Sequence, residues 1–178
     1  MHPKRDEELR ELFKLQITLA QGSKRTIVYL DESGFAVDMP RTHGYSAKGA
    51  RCYGEQDWHA RGRINAIGAI IGNHFLTVGL FECTTDSDVF YGWLTQALIP
   101  KLPKESVVVM DNATFHKRAD MIAALEHAGH TPLYLPPYSP DLNPIEKKWA
   151  HAKNLRRTYG CSVHDLFLRP ELCQIIVC

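Results

Sequence analysis

The sequence predicts an α/β protein with a mixed five-stranded sheet and helices on both faces. Two short runs, residues 26–30 and 107–110, are almost entirely β-branched or otherwise apolar, which is typical of strands buried on both faces. Segments with helical periodicity follow, in the order strand, hairpin, helix, strand, helix, strand, helix. This order favours helices packed on a central sheet, and we expect the two most apolar strands to lie side by side in its centre.

The composition is that of a soluble globular protein with one domain. Of the 178 residues, 44% are hydrophobic and 23% are charged, as in ordinary globular chains. No apolar run in the sequence approaches the ~20 residues of a membrane span, and the charged N-terminus lacks a signal-peptide core. Five scattered cysteines form no Cys-x-x-Cys pair, which argues against a disulfide framework or a zinc site. We therefore expect a cytoplasmic protein without a membrane partner.

The first half of the chain is expected to form a helix, a strand and a hairpin. Residues 5–21 have apolar side chains near helical spacing, and Gly22 ends that helix. After the strand at 26–30, residues 35–59 lack periodicity and are interpreted as a surface excursion. Residues 64–71 and 75–81 are two strands joined by a Gly72-Asn73 turn. Thr84 or Thr85 is expected to cap a helix whose apolar face comprises Val89, Phe90, Trp93, Leu94, Ala97 and Leu98.

The second half is expected to alternate strands and helices. A strand at 107–110 is followed by a helix that ends at Gly129. The inward residues of this helix are expected to be Ile122, Leu125 and Ala128. The last strand, residues 133–135, leads through a loop to a helix that runs from Pro144 to about Arg157. Four apolar residues of that helix share one face, at spacings of four, three and three: Ile145, Trp149, Ala152 and Leu155.

The loop before the last helix holds one carboxylate in a fixed position. Pro136 and Pro137 favour extended backbone, and Ser139-Pro140-Asp141 is typical of a turn. Asn143 is expected to cap the helix, with Pro144 at its first position. Glu146 then lies in the first turn beside the loop. Two interpretations of Glu146 stay open on these residues: a functional carboxylate, or the acidic half of a capping box with Asn143.

Three carboxylates follow strands on the same side of the predicted sheet. Asp31 and Asp111 come directly after the two buried strands, and Glu146 follows the last one. Hard oxygen ligands favour Mg²⁺ or Mn²⁺, and two ions about 4 Å apart suit phosphoryl displacement. We expect Asp31 to contact both ions, and Asp111 and Glu146 to hold one each. Glu32 is expected to face the opposite side of its strand.

Two segments concentrate positive charge, although the net charge is only +1. Such clusters bind polyanions, but each could equally be a solvated basic face. The basic candidates for DNA contact are Arg41, Lys48, Arg51, Arg61, Arg63, Lys147, Lys148, Lys153, Arg156 and Arg157.

Three segments together resemble the DDE transposases of the mariner superfamily, and most closely the bacterial insertion-sequence 630 group. The first is Leu30-Asp31-Glu32-Ser33-Gly34. The second is Met110-Asp111-Asn112-Ala113 with His116, and the third is the run from Leu135 to Glu146 with Trp149. Between Asp111 and Glu146 lie 34 residues, the spacing expected of that family. The resemblance extends from about residue 26 to residue 159.

The resemblance implies a ribonuclease H-like fold and Mg²⁺-dependent cutting of DNA at transposon ends. The freed 3′-hydroxyl would then attack target DNA, commonly at a TA step. A segment of relatives that often reads Gly-Trp-x-x-x-Gly aligns with residues 44–49, where Tyr45 takes the place of the tryptophan and leaves base stacking available. The implied parts are an N-terminal helix or linker (1–25), the catalytic domain (26–160) and a short tail (161–178).

Relatives also carry helix-turn-helix modules ahead of the catalytic domain, and this sequence shows none. We therefore expect an upstream reading frame to supply that module, or the chain to be a fragment or an incomplete copy; a homo-oligomer is also expected. The main alternative is an inactive or truncated remnant that binds DNA or a partner subunit. A third interpretation is a stand-alone nuclease of the same fold that does not join strands.

Overall fold

The computed structural model describes residues 6–37, 47–49, 51 and 62–168. The strands are β1 (Ile27–Ala36), β2 (Arg63–Ile71), β3 (His74–Phe81), β4 (Val107–Met110) and β5 (Thr131–Tyr134). The α-helices are α1 (Glu7–Gly22), α2 (Ser87–Trp93), α3 (Ala119–His127), α4 (Ile145–Tyr159) and α5 (Val163–Leu168). A π-helical segment (Leu94–Leu98) and a 3-10 turn (Ile99–Lys101) continue α2.

The five strands form one mixed sheet in the order β3-β2-β1-β4-β5. β1 and β4 pair in parallel at its centre, as do β4 and β5, whereas β1, β2 and β3 are antiparallel neighbours. Gly72 turns the β2–β3 hairpin with a φ of +57°, a conformation that glycine adopts without strain. The predicted mixed five-stranded sheet, its central pair and its hairpin are therefore confirmed.

Helices cover both faces of the sheet. On one face Val28, Leu30, Val108 and Met110 pack against α2, its π-helical continuation and α3. The opposite face meets α1, α4 and α5, mainly through aromatic and β-branched side chains: Tyr29, Phe35, Ile70, Val107 and Val109. Because side chains alternate along a strand, each odd-numbered residue from 27 to 31 of β1 points to the α4 face. The face on which Asp31 lies follows directly from this alternation.

β1 is longer than the sequence predicts. It does not end before Asp31 but continues to Ala36, because β2 remains paired with it over its full length. The parallel partner β4 contacts β1 only as far as Tyr29. Asp31 is therefore not a strand-end residue; it lies within β1, at the point where the neighbouring strand stops.

The start of α2 and the inner face of α3 also differ from expectation. Asp86, not Thr84 or Thr85, caps α2 by accepting hydrogen bonds from the next helical N–H groups, and a carboxylate there also interacts favourably with the helix dipole. Of the residues of α3 expected to face inward, Leu125 is buried, Ile122 is half-buried and Ala128 is exposed at the helix end, while Met121 is buried as well.

The two terminal helices contribute to the core. α1 buries Phe13 and Ala20 near β4, and α5 places Leu166 and Phe167 beside α4. Helix α5 lies within the segment expected to be a short tail, whose residues 169–178 are outside the described part of the chain. So is most of the expected excursion at 35–59. In the described ranges, no helix is long and apolar enough to cross a membrane.

Candidate active site

A cleft of about 420 Å³ opens where β4 ends. Asp31, Asp111 and Glu146 all line it, together with the loop that joins β5 to α4: Leu135, Pro136, Pro137, Tyr138, Ser139, Pro140 and Asn143. The structure thus brings together the three carboxylates that the sequence analysis singled out. It does so at the carboxyl end of a parallel strand, where sites form in open α/β sheets.

The position of Glu146 depends on a close packing contact behind the cleft. Gly68 of β2 lies directly opposite Asp31 in the sheet. Trp149 covers Gly68 so closely that a Cβ added there would lie 2.7 Å from the indole Cη2. Residues three apart share a helix face, so Glu146 lies one turn before Trp149, over the same part of the sheet. The glycine opposite Asp31 therefore allows α4 to bring Glu146 to the cleft.

The capping interpretation of Glu146 is wrong. The backbone N–H of Asn143, which a capping box would pair with Glu146, instead donates to the Pro140 carbonyl at 2.9 Å. α4 begins at Ile145, with no side-chain hydrogen bond at its cap position, Pro144. The Asn143 amide turns toward the Leu30 carbonyl, 3.5 Å away. The carboxylate of Glu146 is therefore not engaged in capping the helix.

Arg10 of α1 fixes the loop in a way that the sequence analysis missed. Its guanidinium is buried and donates two hydrogen bonds to Asp141, at 3.1 Å and 2.7 Å. Bidentate arginine–carboxylate pairs are among the stronger polar contacts in proteins. The two residues are 131 positions apart, so no local pattern indicates the pair. The contact ties the first helix to the segment that precedes Glu146.

Asp31 has a strongly perturbed pKa. Burial raises the pKa first, and the negative charges of Glu146, Glu32 and Asp111 raise it further, to about 7 from an ordinary 3.8. The raised pKa reflects the cost of ionising Asp31 in a partly dehydrated cleft beside other carboxylates. A bound cation would offset that charge.

Asp111 is instead held in its charged form. Burial alone would raise its pKa, but hydrogen bonds from His116 and the Ala113 N–H, with the imidazolium charge, lower the pKa overall. For His116, burial alone would lower the pKa, but its bonds to Asp111 and Glu32 and their charges raise it to about 9. Both imidazole nitrogens then carry protons at neutral pH. Glu32 faces away from Asp31 as expected, yet it joins the site through His116.

The donor set fits a hard divalent cation. The polar side chains that line the cleft offer oxygen atoms as ligands, and three of these side chains are carboxylates. Among residues 6–37, 47–49, 51 and 62–168, no three His, Cys, Asp or Glu side chains form a ready-made chelate. Mg²⁺ does not need one, because proteins usually hold it by one or two carboxylates together with substrate phosphates.

Two of the basic candidates, Arg156 and Lys148, are buried, which contradicts the prediction that they contact DNA. Arg156 donates to the backbone carbonyls of Ala36, Val37 and Cys161, so it holds the end of β1 and is not exposed to a phosphate. Lys148 is only 6% exposed. Both residues lie on the α4 face that turns toward the sheet, three and four residues after Ile145 and Ala152 respectively.

Other basic candidates lie on the surface. Arg63, Lys147 and Arg157 are exposed, as are Lys48 and Arg51, and Lys153 lies 5.6 Å from the centre of the Phe35 ring. The remaining three candidates, Arg41, Tyr45 and Arg61, are outside the described residues. DNA contact by the exposed group stays a prediction.

Asparagine in place of Asp31 is expected to stabilise the metal-free protein at high pH. Ionisation of Asp31 costs the folded state stability as pH rises from about 4 through about 7, and asparagine does not ionise. Above pH 7.5 the variant should be more stable by on the order of 1 kcal/mol, or roughly 2–4 °C in Tm. The gain should vanish near pH 4. Thermal melts in EDTA across this range measure it, and a gain that does not change with pH would contradict the assignment.

Comparison with known proteins identifies the family and the fold. Residues 26–161 match the family described as DDE superfamily endonuclease. The structure resembles the Mos1 transposase paired-end complex with left transposon end (TM-score 0.67, 18% identity, covering 88% of this chain and 50% of that chain). It also resembles the mariner Mos1 paired end complex with Mg (TM-score 0.65, 18% identity, 88% and 50%) and the Mos1 strand transfer complex (TM-score 0.57, 19% identity, 90% and 56%).

Comparison with curated proteins gives no match. This chain spans about half the length of the first two of these solved chains. The likeness to them confirms the expected ribonuclease H-like fold. Because the family match covers most of the sequence, the chain belongs to the DDE superfamily endonuclease family.

Proposed function

We propose that this chain is the catalytic domain of a transposase, which cleaves DNA at transposon ends and joins the freed 3′-hydroxyl to target DNA. Within the mariner superfamily we place it in the insertion-sequence 630 group, on the strength of its sequence motifs. The observation that carries the proposal is the convergence of Asp31, Asp111 and Glu146 on one cleft of a ribonuclease H-like fold. The metals and DNA complexes named for the similar Mos1 structures support it.

The three carboxylates would hold two Mg²⁺ or Mn²⁺ ions. Asp31 lines the cleft with the other two carboxylates, and the charges of both raise its pKa, which suits it to contact both ions. When bound, such a pair activates the attacking oxygen and stabilises the leaving one. Asp111 is kept ionised by His116 and is ready as a ligand, while α4 sets the position of Glu146. The residues of this chain thus supply fixed negative charge.

The partner is double-stranded DNA, with TA-containing target sites. Pro136, Pro137 and Tyr138 form one wall of the cleft, and Tyr138 is half exposed. Lys147 lies immediately beyond Glu146 and is exposed, so it can meet a phosphate near the carboxylates. We propose residues 26–160 as the catalytic domain, 1–25 as an N-terminal helix or linker, and 161–178 as a short C-terminal segment whose helix α5 packs beside α4. The proposed protein partners are a second copy of this chain and the helix-turn-helix product of an upstream reading frame. The proposed location is the bacterial cytoplasm.

Two assays test the function against its alternatives. Nicking of supercoiled plasmid in Mg²⁺, lost in EDTA, separates an enzyme from an inactive remnant. Joining of a precut end with a free 3′-hydroxyl to a target plasmid separates a transposase from a stand-alone nuclease. We expect both activities. Metal-dependent nicking without joining would support the nuclease, and DNA binding without either activity would support the remnant. If the chain needs an upstream DNA-binding module, that module is added in both assays.

DNA binding is expected to be mainly phosphate contact and strongly salt-dependent. Each neutralised phosphate contributes about −0.9 to the slope of log K against log salt. Glutamine in place of Lys147 should reduce the slope by about one such unit. The matched control is glutamine in place of Lys104, an exposed lysine that precedes β4, at the other end of the strand from the cleft. Fluorescence anisotropy over a salt series measures both slopes. Equal slopes for the two variants would show that Lys147 does not contact DNA.

A further inference from the structure

His116 connects two carboxylates that belong to different parts of the fold. Its Nδ1 lies 2.6 Å from Asp111 Oδ1, and its Nε2 lies 2.9 Å from Glu32 Oε1. The imidazole itself is fully buried, whereas the Asp111 side chain is 47% exposed toward the cleft and that of Glu32 is 22% exposed. The ring is therefore an internal link between the partly open carboxylates on either side of it.

Contacts to both the backbone and the ring hold His116 in place. A 3-10 turn, Thr114–Lys117, carries the residue, and its backbone N–H donates to the Ala113 carbonyl at 3.1 Å. The hydroxyl of Tyr134 donates to the His116 carbonyl at 3.0 Å. Phe90 packs on the ring, with centroids 4.4 Å apart. Because backbone and ring are both fixed, the two nitrogens are aimed at their carboxylates by the fold.

The two carboxylate oxygens of Asp111 have different roles in this arrangement. Oδ1 accepts from His116 and, at 2.9 Å, from the backbone N–H of Ala113. Two donors satisfy both lone pairs of that oxygen. Oδ2 makes no hydrogen bond within the described residues and is left for a ligand in the cleft. A carboxylate fixed through one oxygen in this way presents the other with little loss of side-chain entropy on binding.

Glu32 connects His116, the residue that supports Asp111, to the strand that carries Asp31. The two residues are neighbours in β1 and point to opposite faces. Asp31 lines the cleft on one face of the sheet. On the opposite face Glu32 pairs with His116, and His116 in turn pairs with Asp111. The relative position of the two cleft aspartates is thus set through a single strand and a single imidazole.

We propose that His116 is a positioning residue for Asp111, and that Glu32 acts only through His116. The inference rests on the proposed function, in which Asp111 holds a divalent cation. Groups that orient metal ligands from behind typically contribute 10–100-fold to metal affinity or activity. Neither His116 nor Glu32 contacts the ion in this arrangement.

The test measures Mn²⁺ affinity by electron paramagnetic resonance, on variants whose folding is checked by circular dichroism. His116→Leu removes both links and should weaken Mn²⁺ binding by about 10–100-fold. His116→Asn can restore a donor at the place of Nδ1 and should stay within about threefold of wild type. Glu32→Gln keeps a hydrogen-bond partner for the ring, whereas Glu32→Leu does not. Leucine at position 32 should therefore weaken affinity more than glutamine.

A double variant decides how Glu32 acts. If it works only through His116, Glu32→Leu should add nothing to His116→Leu, because coupled residues are not additive. Additive losses would mean that Glu32 also acts on the metal site by a route that does not involve His116, which overturns the proposal. Equal affinity in wild type, His116→Leu and Glu32→Leu would leave His116 a purely structural role and also overturn it. Should the leucine variant at 116 not fold, the pair at position 32 still tests the link, because equal Mn²⁺ affinities of Glu32→Leu and Glu32→Gln would overturn it.

Glu146→Gln separates failure of this inference from failure of the proposed function. If that variant loses Mn²⁺ binding while His116→Leu and Glu32→Leu bind as wild type does, only the positioning role is refuted. If wild type binds no Mn²⁺, or Glu146→Gln binds as tightly as wild type, the metal site itself is misassigned and the positioning role falls with it.

Discussion

Alanine in place of Trp149 is expected to destabilise the protein by about 3–5 kcal/mol, the usual cost of truncating a buried large aromatic residue. The indole is 2% exposed. It packs against three aromatic rings, those of Phe35, Phe75 and Phe167, with centroids 5.3–6.2 Å away. It also fills the space over Gly68 beside Asp31. Cleavage should fall together with stability, since α4 loses the contact that sets Glu146 over the cleft. Urea unfolding measures the first effect and plasmid nicking the second.

Two further variants control this experiment. Trp149→Phe should cost much less than alanine, because it keeps a ring in place and removes an indole N–H that is buried without a hydrogen-bond partner in the described structure. Tyr159→Ala removes an aromatic ring from the exposed end of the same helix and should change stability by less than about 0.5 kcal/mol. A cost for Trp149→Ala no larger than that of Tyr159→Ala would show that α4 is not held by this contact.

The placement of two of the carboxylates could be predicted because it follows from local sequence. Residues 107–110 are apolar at every position and all buried, which marks a central parallel strand. Such a strand brings the residue after it, Asp111, to the edge where its parallel neighbour β1 carries Asp31. Helical spacing likewise identified the buried face of α4 through Ile145 and Trp149. Asp111 and the buried face of α4 each follow from one element, whereas the meeting of Asp111 with Asp31 also needs the parallel pairing of β1 and β4.

The features that could not be predicted depend on partners distant in sequence. β1 extends past Asp31 only because β2 pairs with it, and a single strand shows no sign of that. Arg10 is buried on a helix whose leucines are half exposed, because Asp141 lies across from it. The burial of Arg156 depends on the carbonyls at the end of β1. Charge patterns along one helix cannot distinguish such residues from a solvated basic face.

The largest expected effect on activity belongs to glutamine in place of Glu146. A neutral amide is a much poorer ligand for Mg²⁺ than a carboxylate, and cleavage should fall by at least ~10³-fold, or about 4 kcal/mol in activation free energy. Without metal the fold should be unharmed, because Glu146 makes no capping bond. The charge of Glu146 raises the pKa of Asp31, so its removal should bring that pKa back toward the ordinary range.

Melting curves with and without Mg²⁺ separate these effects from general damage. Wild type should melt at a higher temperature in Mg²⁺, since a ligand that binds only the folded state stabilises it, and Glu146→Gln should lose that shift. Glu126→Gln makes the same chemical change at an exposed position of α3 and should keep both the shift and the activity. DNA binding should survive in both variants, because the proposed phosphate contacts come from basic residues. Wild-type cleavage by Glu146→Gln would refute its assignment as the third catalytic carboxylate, whatever the melting curves show.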